Sequence, residues 1–166
     1  MTAMLPNLDD AEVLAALQEL TAEIRETLSP DQREAVRSAE EARLALATLL
    51  APEQAQDLAE SFRVDRGQAA AIGRQVLATA LTDPLTAEPA GRLVADPPKD
   101  DQMVALGGVE VAIVLGALVT LLQTKARVKV ERKAGTVDFS IDVEKQAAET
   151  TLIDKLVTIV GGMFPR

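Results

Sequence analysis

Glu110 is the single charged residue between Gln102 and Thr124, and a carboxylate set in an apolar run is the type of group whose pKa burial perturbs toward acid–base work. Its simpler reading is an acid in the first turn of a helix that starts at Gly107-Gly108, where the helix dipole favours negative charge and the side chain reaches water. Directly after that run come Lys125, Arg127, Lys129, Arg132 and Lys133, with Glu131 as the only acid among them. Such a cluster can contact an acidic partner, lipid headgroups or nucleic acid; its simpler reading is the wetted face of a strand, with Asp138 and Asp142 as counter-charges. Glu40-Glu41 and the other acids of the N-terminal stretch have no spacing that resembles a calcium loop. Gly107-Gly108 lacks the Lys and Ser/Thr of a phosphate-binding loop.

The residue inventory narrows the chemistry further. The 166-residue chain has no Cys, His, Trp or Tyr and three Phe, which removes thiol nucleophiles, Cys/His zinc sites, imidazole catalysis and Ser-His-Asp triads. No aromatic platform exists for stacking single-stranded nucleic acid. A net charge of −9 disfavours contact with a phosphate backbone. The expectation is therefore a non-enzyme with no catalytic residue, cofactor or metal; a hydrolase working by carboxylates alone is the remainder. The first ten residues show no basic and apolar leader pattern and no disulfide can form, so cytoplasm is the expected compartment.

The charge is unevenly distributed. Positions 1–100 hold 9 basic and 18 acidic residues, whereas positions 101–166 hold 8 of each, so two chemically different halves are expected. In the first, Asp9 or Asp10 is placed to cap a helix carrying Leu14, Leu17, Ile24 and Leu28. Ser29-Pro30 then reads as N-cap and N1 of a second helix running to about Leu50. Pro52 starts a shorter helix through Leu58 and Phe62, and Asp65 caps a fourth that buries Ile72, Val76, Leu77 and Leu81. These spacings predict an acidic four-helix bundle over 1–83. Pro84, Pro89, Gly91, Pro97 and Pro98 predict a linker over 84–101 with one helical turn near Arg92 to Ala95.

Residues 102–166 predict an α-β-β-α module, so the chain as a whole is expected to be α+β and mostly helical. Val128 and Val130 alternate with charged residues, as do Val137, Phe139, Ile141 and Val143, the period of half-buried strands. A Lys133-Ala134-Gly135-Thr136 loop sets Val130 opposite Phe139, Val128 opposite Ile141 and Arg127 opposite Asp142. Thr150 or Thr151 is placed to cap a final helix with Leu152, Ile153, Leu156, Ile159 and Val160 on its apolar side. A hairpin of two strands is not stable alone, so the expected interaction surface is Val128, Val130, Phe139 and Ile141, together with the small-residue stripe Gly108, Ala112 and Gly116.

The order of Gly107-Gly108, apolar helix, basic strand from Lys125 to Arg132, Gly-containing turn, strand ending near Val143 and Leu-rich helix resembles the small effector-associated constant components of bacterial conflict (antiviral defence) systems. The resemblance covers about residues 103–160. It implies a non-catalytic module encoded beside effectors such as peptidases or signalling NTPases and working by protein contact; the N-terminal helices have no counterpart in it. The leading expectation is thus an adaptor or assembly module that binds a protein partner or its own copies. The alternative is a membrane-inserted effector or anchor in the inner membrane, with 103–123 long enough to span a bilayer and basic residues behind it.

Overall fold

The computed structural model describes residues 8–62, 64–98, 109–143 and 150–164. Among these, eight α-helices, one short 3₁₀ turn and a two-stranded antiparallel sheet make a mostly helical α+β protein: α1 (Asp10–Arg25), α2 (Pro30–Ala35), α3 (Ala39–Leu50), α4 (Ala55–Glu60), α5 (Arg66–Thr82), α6 (Ala87–Ala95), α7 (Val109–Lys125), β1 (Ala126–Lys133), β2 (Thr136–Val143) and α8 (Thr150–Met163).

The expected bundle over 1–83, linker over 84–101 and module over 102–166 differ from the way the chain clusters. Two compact units form, one from Met1–Thr27 with Val64–Ala117 and the other from Leu28–Arg63 with Leu118–Arg166. The chain therefore alternates between them, and α7 contributes its first half to one and its second half to the other. Pro84 to Pro98 belong inside the first unit. The reason is local: Pro89 stands third in α6, where its missing N–H is one that the helix would leave unbonded anyway, and Ala90, Leu93 and Val94 bury one face of that helix. Before it, the buried Thr86 hydroxyl donates to the Ala80 carbonyl at 2.7 Å and Asp83 accepts the Ala87 amide at 2.8 Å, so the turn is built rather than loose.

In the first unit α1 packs on α5 and α6, and α5 on α6. Asp9 closes a capping box with Glu12, and Asp65 closes one with Gln68, fixing where α1 and α5 begin. The apolar side of α1 buries Val13, Leu14, Ala16, Leu17, Leu20 and Ile24 against Ala69, Ala70, Val76, Leu77 and Ala80 of α5. Gly73 lets the two helices come close, because a Cβ there would lie 3.0 Å from Leu17 Cδ1 and 3.4 Å from Val13 Cγ1. Arg74 ties the start of α1 by donating to the Leu8 carbonyl and the Asp10 carboxylate, and Arg92 meets Glu23 at 2.8 Å.

In the second unit the long helix expected from Pro30 to Leu50 is two helices. Val36 is extended (φ −121°, ψ 114°), and Ser38 caps a fresh start by accepting the Glu41 amide. A helix interrupted in this way can place α2 and α3 on different parts of the hairpin: α2 packs on β1 and α3 on β2, while α8 packs on α3. The hairpin register is the expected one, with Val130 opposite Phe139, Val128 opposite Ile141 and Arg127 opposite Asp142. Its turn is shorter than a four-residue loop, since Lys133 and Thr136 already pair and only Ala134 and Gly135 lie between, at φ +45° and +87°. Phe62 and Phe164 pack with ring centroids 5.4 Å apart, and the Arg43 guanidinium lies 5.8 Å from the Phe62 centroid. With Phe139 on β2, every aromatic ring of the protein belongs to this unit.

The apolar run becomes α7, which buries Ile113, Val114, Leu115, Leu118, Val119, Leu121 and Leu122. A helix apolar all round is one buried in a protein core or in a bilayer. Among the described residues no helix is long and apolar enough to cross a membrane; positions 103–108 of the expected span lie outside them.

Three stability outcomes follow, at two positions. An L-residue held left-handed costs about 1–2 kcal/mol, and Asn tolerates the first position of such turns best. Ala134→Asn should therefore raise the urea midpoint, by a gain of about 0.5–1 kcal/mol. Gly73→Leu should lose about 3 kcal/mol to overpacking. Gly73→Ala should stay near wild type, because a helix-propensity gain of about 1 kcal/mol offsets the crowding of Leu17.

Candidate functional site

Period-two alternation sorts β1 into two faces. Ala126 and Val128 are buried and Val130 half-buried, while Arg127, Lys129, Glu131 and Lys133 are exposed. On β2, Phe139 is buried and Ile141 half-buried on the same side, with Asp138, Ser140 and Asp142 in water. The structure thus brings together the four expected hairpin residues Val128, Val130, Phe139 and Ile141 on one face, and this face is covered in part by helices that sequence reasoning had assigned to a different domain.

The basic cluster does not form one patch. Arg127, Lys129 and Lys133 share the wet face. Arg132 belongs to the other face, and its Nη2 donates to the Ala35 carbonyl at 3.0 Å and to Glu41 Oε1 at 2.7 Å. Lys125 is buried at the C-terminal turn of α7, where a cation suits the dipole. The small-residue stripe also divides: Gly108 lies outside the described residues, Ala112 is exposed, and Gly116 is half-buried with nothing within 4 Å of where a Cβ would stand. Neither described residue seats a tightly packed neighbour. Glu110 is in the first turn of its helix as its sequence position indicates, yet it is 3% exposed, so its carboxylate is enclosed instead of reaching water.

What sequence reasoning missed is the role of α2. Gln123 Nε2, in the last turn of α7, donates to the Gln32 carbonyl at 2.7 Å and to Gln32 Oε1 at 3.2 Å. Together with the Arg132 bond to Ala35, this holds α2 beside β1 by side chains reaching its carbonyls. Between them lies a cleft of about 680 Å³, lined by α2 residues including Gln32 and Glu34 and by the continuous stretch Arg127 to Arg132. A smaller cleft of about 430 Å³ lies by the hairpin turn, where Gln56 Nε2 donates to the Val137 carbonyl at 3.3 Å.

Glu41 is the electrostatic anchor of this region. Its Oε1 accepts from Arg132 and from the Arg37 amide at 3.0 Å, and its own amide is capped by Ser38. The Arg132 hydrogen bond, and then the Arg37 amide and both positive charges, hold its carboxyl below the ordinary value of 4.5 against the opposing effect of burial. The exposed pair Arg37–Glu34, 3.5 Å apart, contributes little by comparison. Among the described residues no group of three or more carboxylates converges closely enough to hold a metal ion.

Compared with protein-family models, curated proteins and solved structures, the chain matches none.

Because the folded Glu41 pKa lies below the unfolded one, its stabilisation is present above pH 4.5 and is lost as pH falls through the lowered folded value. Glu41→Gln should cost about 1 kcal/mol at pH 7. In urea melts across pH 3 to 7 that gap should narrow steadily below pH 4.5; an equal gap throughout contradicts the role given to the pair.

Proposed function

We propose that the protein is a non-enzymatic protein-binding or assembly module whose working surface is the hairpin of the second unit. One observation carries this reading: among the described residues the sheet has two strands, and no backbone hydrogen bond from another segment reaches either outer edge, although the Gln56 side chain bonds the Val137 carbonyl of β2. A short sheet with open edges is a ready template for another strand. The helices α2 and α3 stabilise it well enough to persist without closing those edges. Association, with no covalent bond made or broken, is the mechanism. The resemblance of residues 103–160 to effector-associated constant components supports a finer setting, that of an accessory working beside a conflict-system effector.

A photo-crosslinking residue placed singly at Lys129, Ser140 or Glu19, all exposed, tests the surface. Discrete protein adducts, either between copies or to one partner, are expected from Lys129 and Ser140 and not from Glu19 on α1. Absence of hairpin adducts, with a monomeric mass at every concentration in sedimentation, overturns the reading.

A further inference from the structure

The cleft between β1 and α2 has the layout of a strand-addition groove: a strand edge as one wall, a helix as the other. Resting on the binding-module reading, we infer that this groove takes an extended peptide segment of a partner protein in which acidic and apolar residues alternate, added as a third strand along β1.

The backbone phase supports this. A two-residue turn with positive φ at both positions makes Lys133 and Thr136 a mutually hydrogen-bonded pair, after which bonded and non-bonded pairs alternate. Counting back, Val128, Val130 and Arg132 turn their N–H and C=O groups away from β2. These are the same residues whose stretch of strand lines the cleft. Among the described residues no backbone group bonds to them from outside the hairpin. The helix wall does not take these groups, since α2 is held by its carbonyls at Gln32 and Ala35. The volume, about 680 Å³, is within the ~300–1,000 Å³ range typical of ligand sites.

Side-chain chemistry selects the occupant. A strand added to β1 places its side chains about 4.5–5.5 Å from those directly opposite. On the wet face these are Arg127 and Lys129, followed by Glu131, so two acids two residues apart fit and a third does not. On the other face Val128 and Val130 ask for apolar partners. The chain already contains one sequence of that kind on the opposite edge: β2 sets Asp142 against Arg127, and Ile141 and Phe139 against Val128 and Val130. Lys129, by contrast, faces the neutral Ser140 there, which leaves its charge available to a ligand acid.

The test uses the full chain and a fluorescein-labelled peptide with the sequence of Thr136–Val143 carrying Asp138→Ser and Ser140→Asp, which spaces its two acids to meet Arg127 and Lys129, read by anisotropy. Saturable binding is expected. A peptide in which both Asp are replaced by Lys should bind at least tenfold more weakly, and the exposed double variant Arg127→Glu/Lys129→Glu, checked for fold by circular dichroism, should reverse that preference. N-methylation of alternate peptide amides should abolish binding in one phase and spare it in the other. No saturable binding, equal affinity for the acidic and basic peptides, or indifference to N-methylation overturns the inference. Adducts at the hairpin without peptide binding, including pairing of two copies through their own hairpins, also overturn it while leaving the binding-module reading standing; loss of both removes the two together.

Discussion

Two strands cannot cover themselves. A hairpin of eight-residue strands presents one apolar face and two rows of unpaired backbone groups, and water satisfies only the second of these. In this protein the face is handled by helices drawn from far earlier in the chain, and the arrangement of the second unit follows from that requirement. The chain breaks its helical run at Val36, so that α2 lies along β1 and α3 along β2. It spends the Arg132 side chain on the end of α2 and on Glu41. It concentrates its few aromatic rings nearby. What the described residues leave without a backbone partner is the row of groups along the outer edge of β1, and the proposed function by association starts from that row.

Where an element's ends are set by neighbours in sequence, the sequence was readable. Asp9, Ser29, Pro30 and Asp65 mark helix starts because the free amides of a first turn need an acceptor within three residues. The hairpin register was readable for a similar reason, since a slip by one residue would turn Val128, Val130, Phe139 and Ile141 into water. The break between α2 and α3 also had a sign: Ser38 and Glu41 have the spacing of a capping box. It was overshadowed by the alanines around it, which propagate a helix equally well across the gap. In the same way Pro89 looked like an interruption, although a proline in a first turn costs no hydrogen bond.

Partnership between elements was not readable. Helices α2 to α4 have modest apolar faces that would serve a neighbouring helix or a sheet equally well, so adjacency in sequence was the only guide, and it pointed to a contiguous bundle. The cleft was hidden for the same reason: one of its walls is β1 and the other is a helix some ninety residues earlier. Nor does the pattern of charges separate Arg132, which reaches inward, from Arg127 and Lys129, which remain in water; only the parity of the strand does so, and strand ends are where parity is least constrained by burial.

The alternation of the chain between two compact units also has a consequence for its synthesis. Helices α2 to α4 are complete by Glu60, whereas the hairpin they cover begins at Ala126. At about 5–20 residues per second on the ribosome, that separation is several seconds. During this time α3 and α4 can pack on each other but lack the sheet, while α5 and α6 become available to α1. The nascent chain therefore assembles its units out of step, and the one that carries the open edge is finished last.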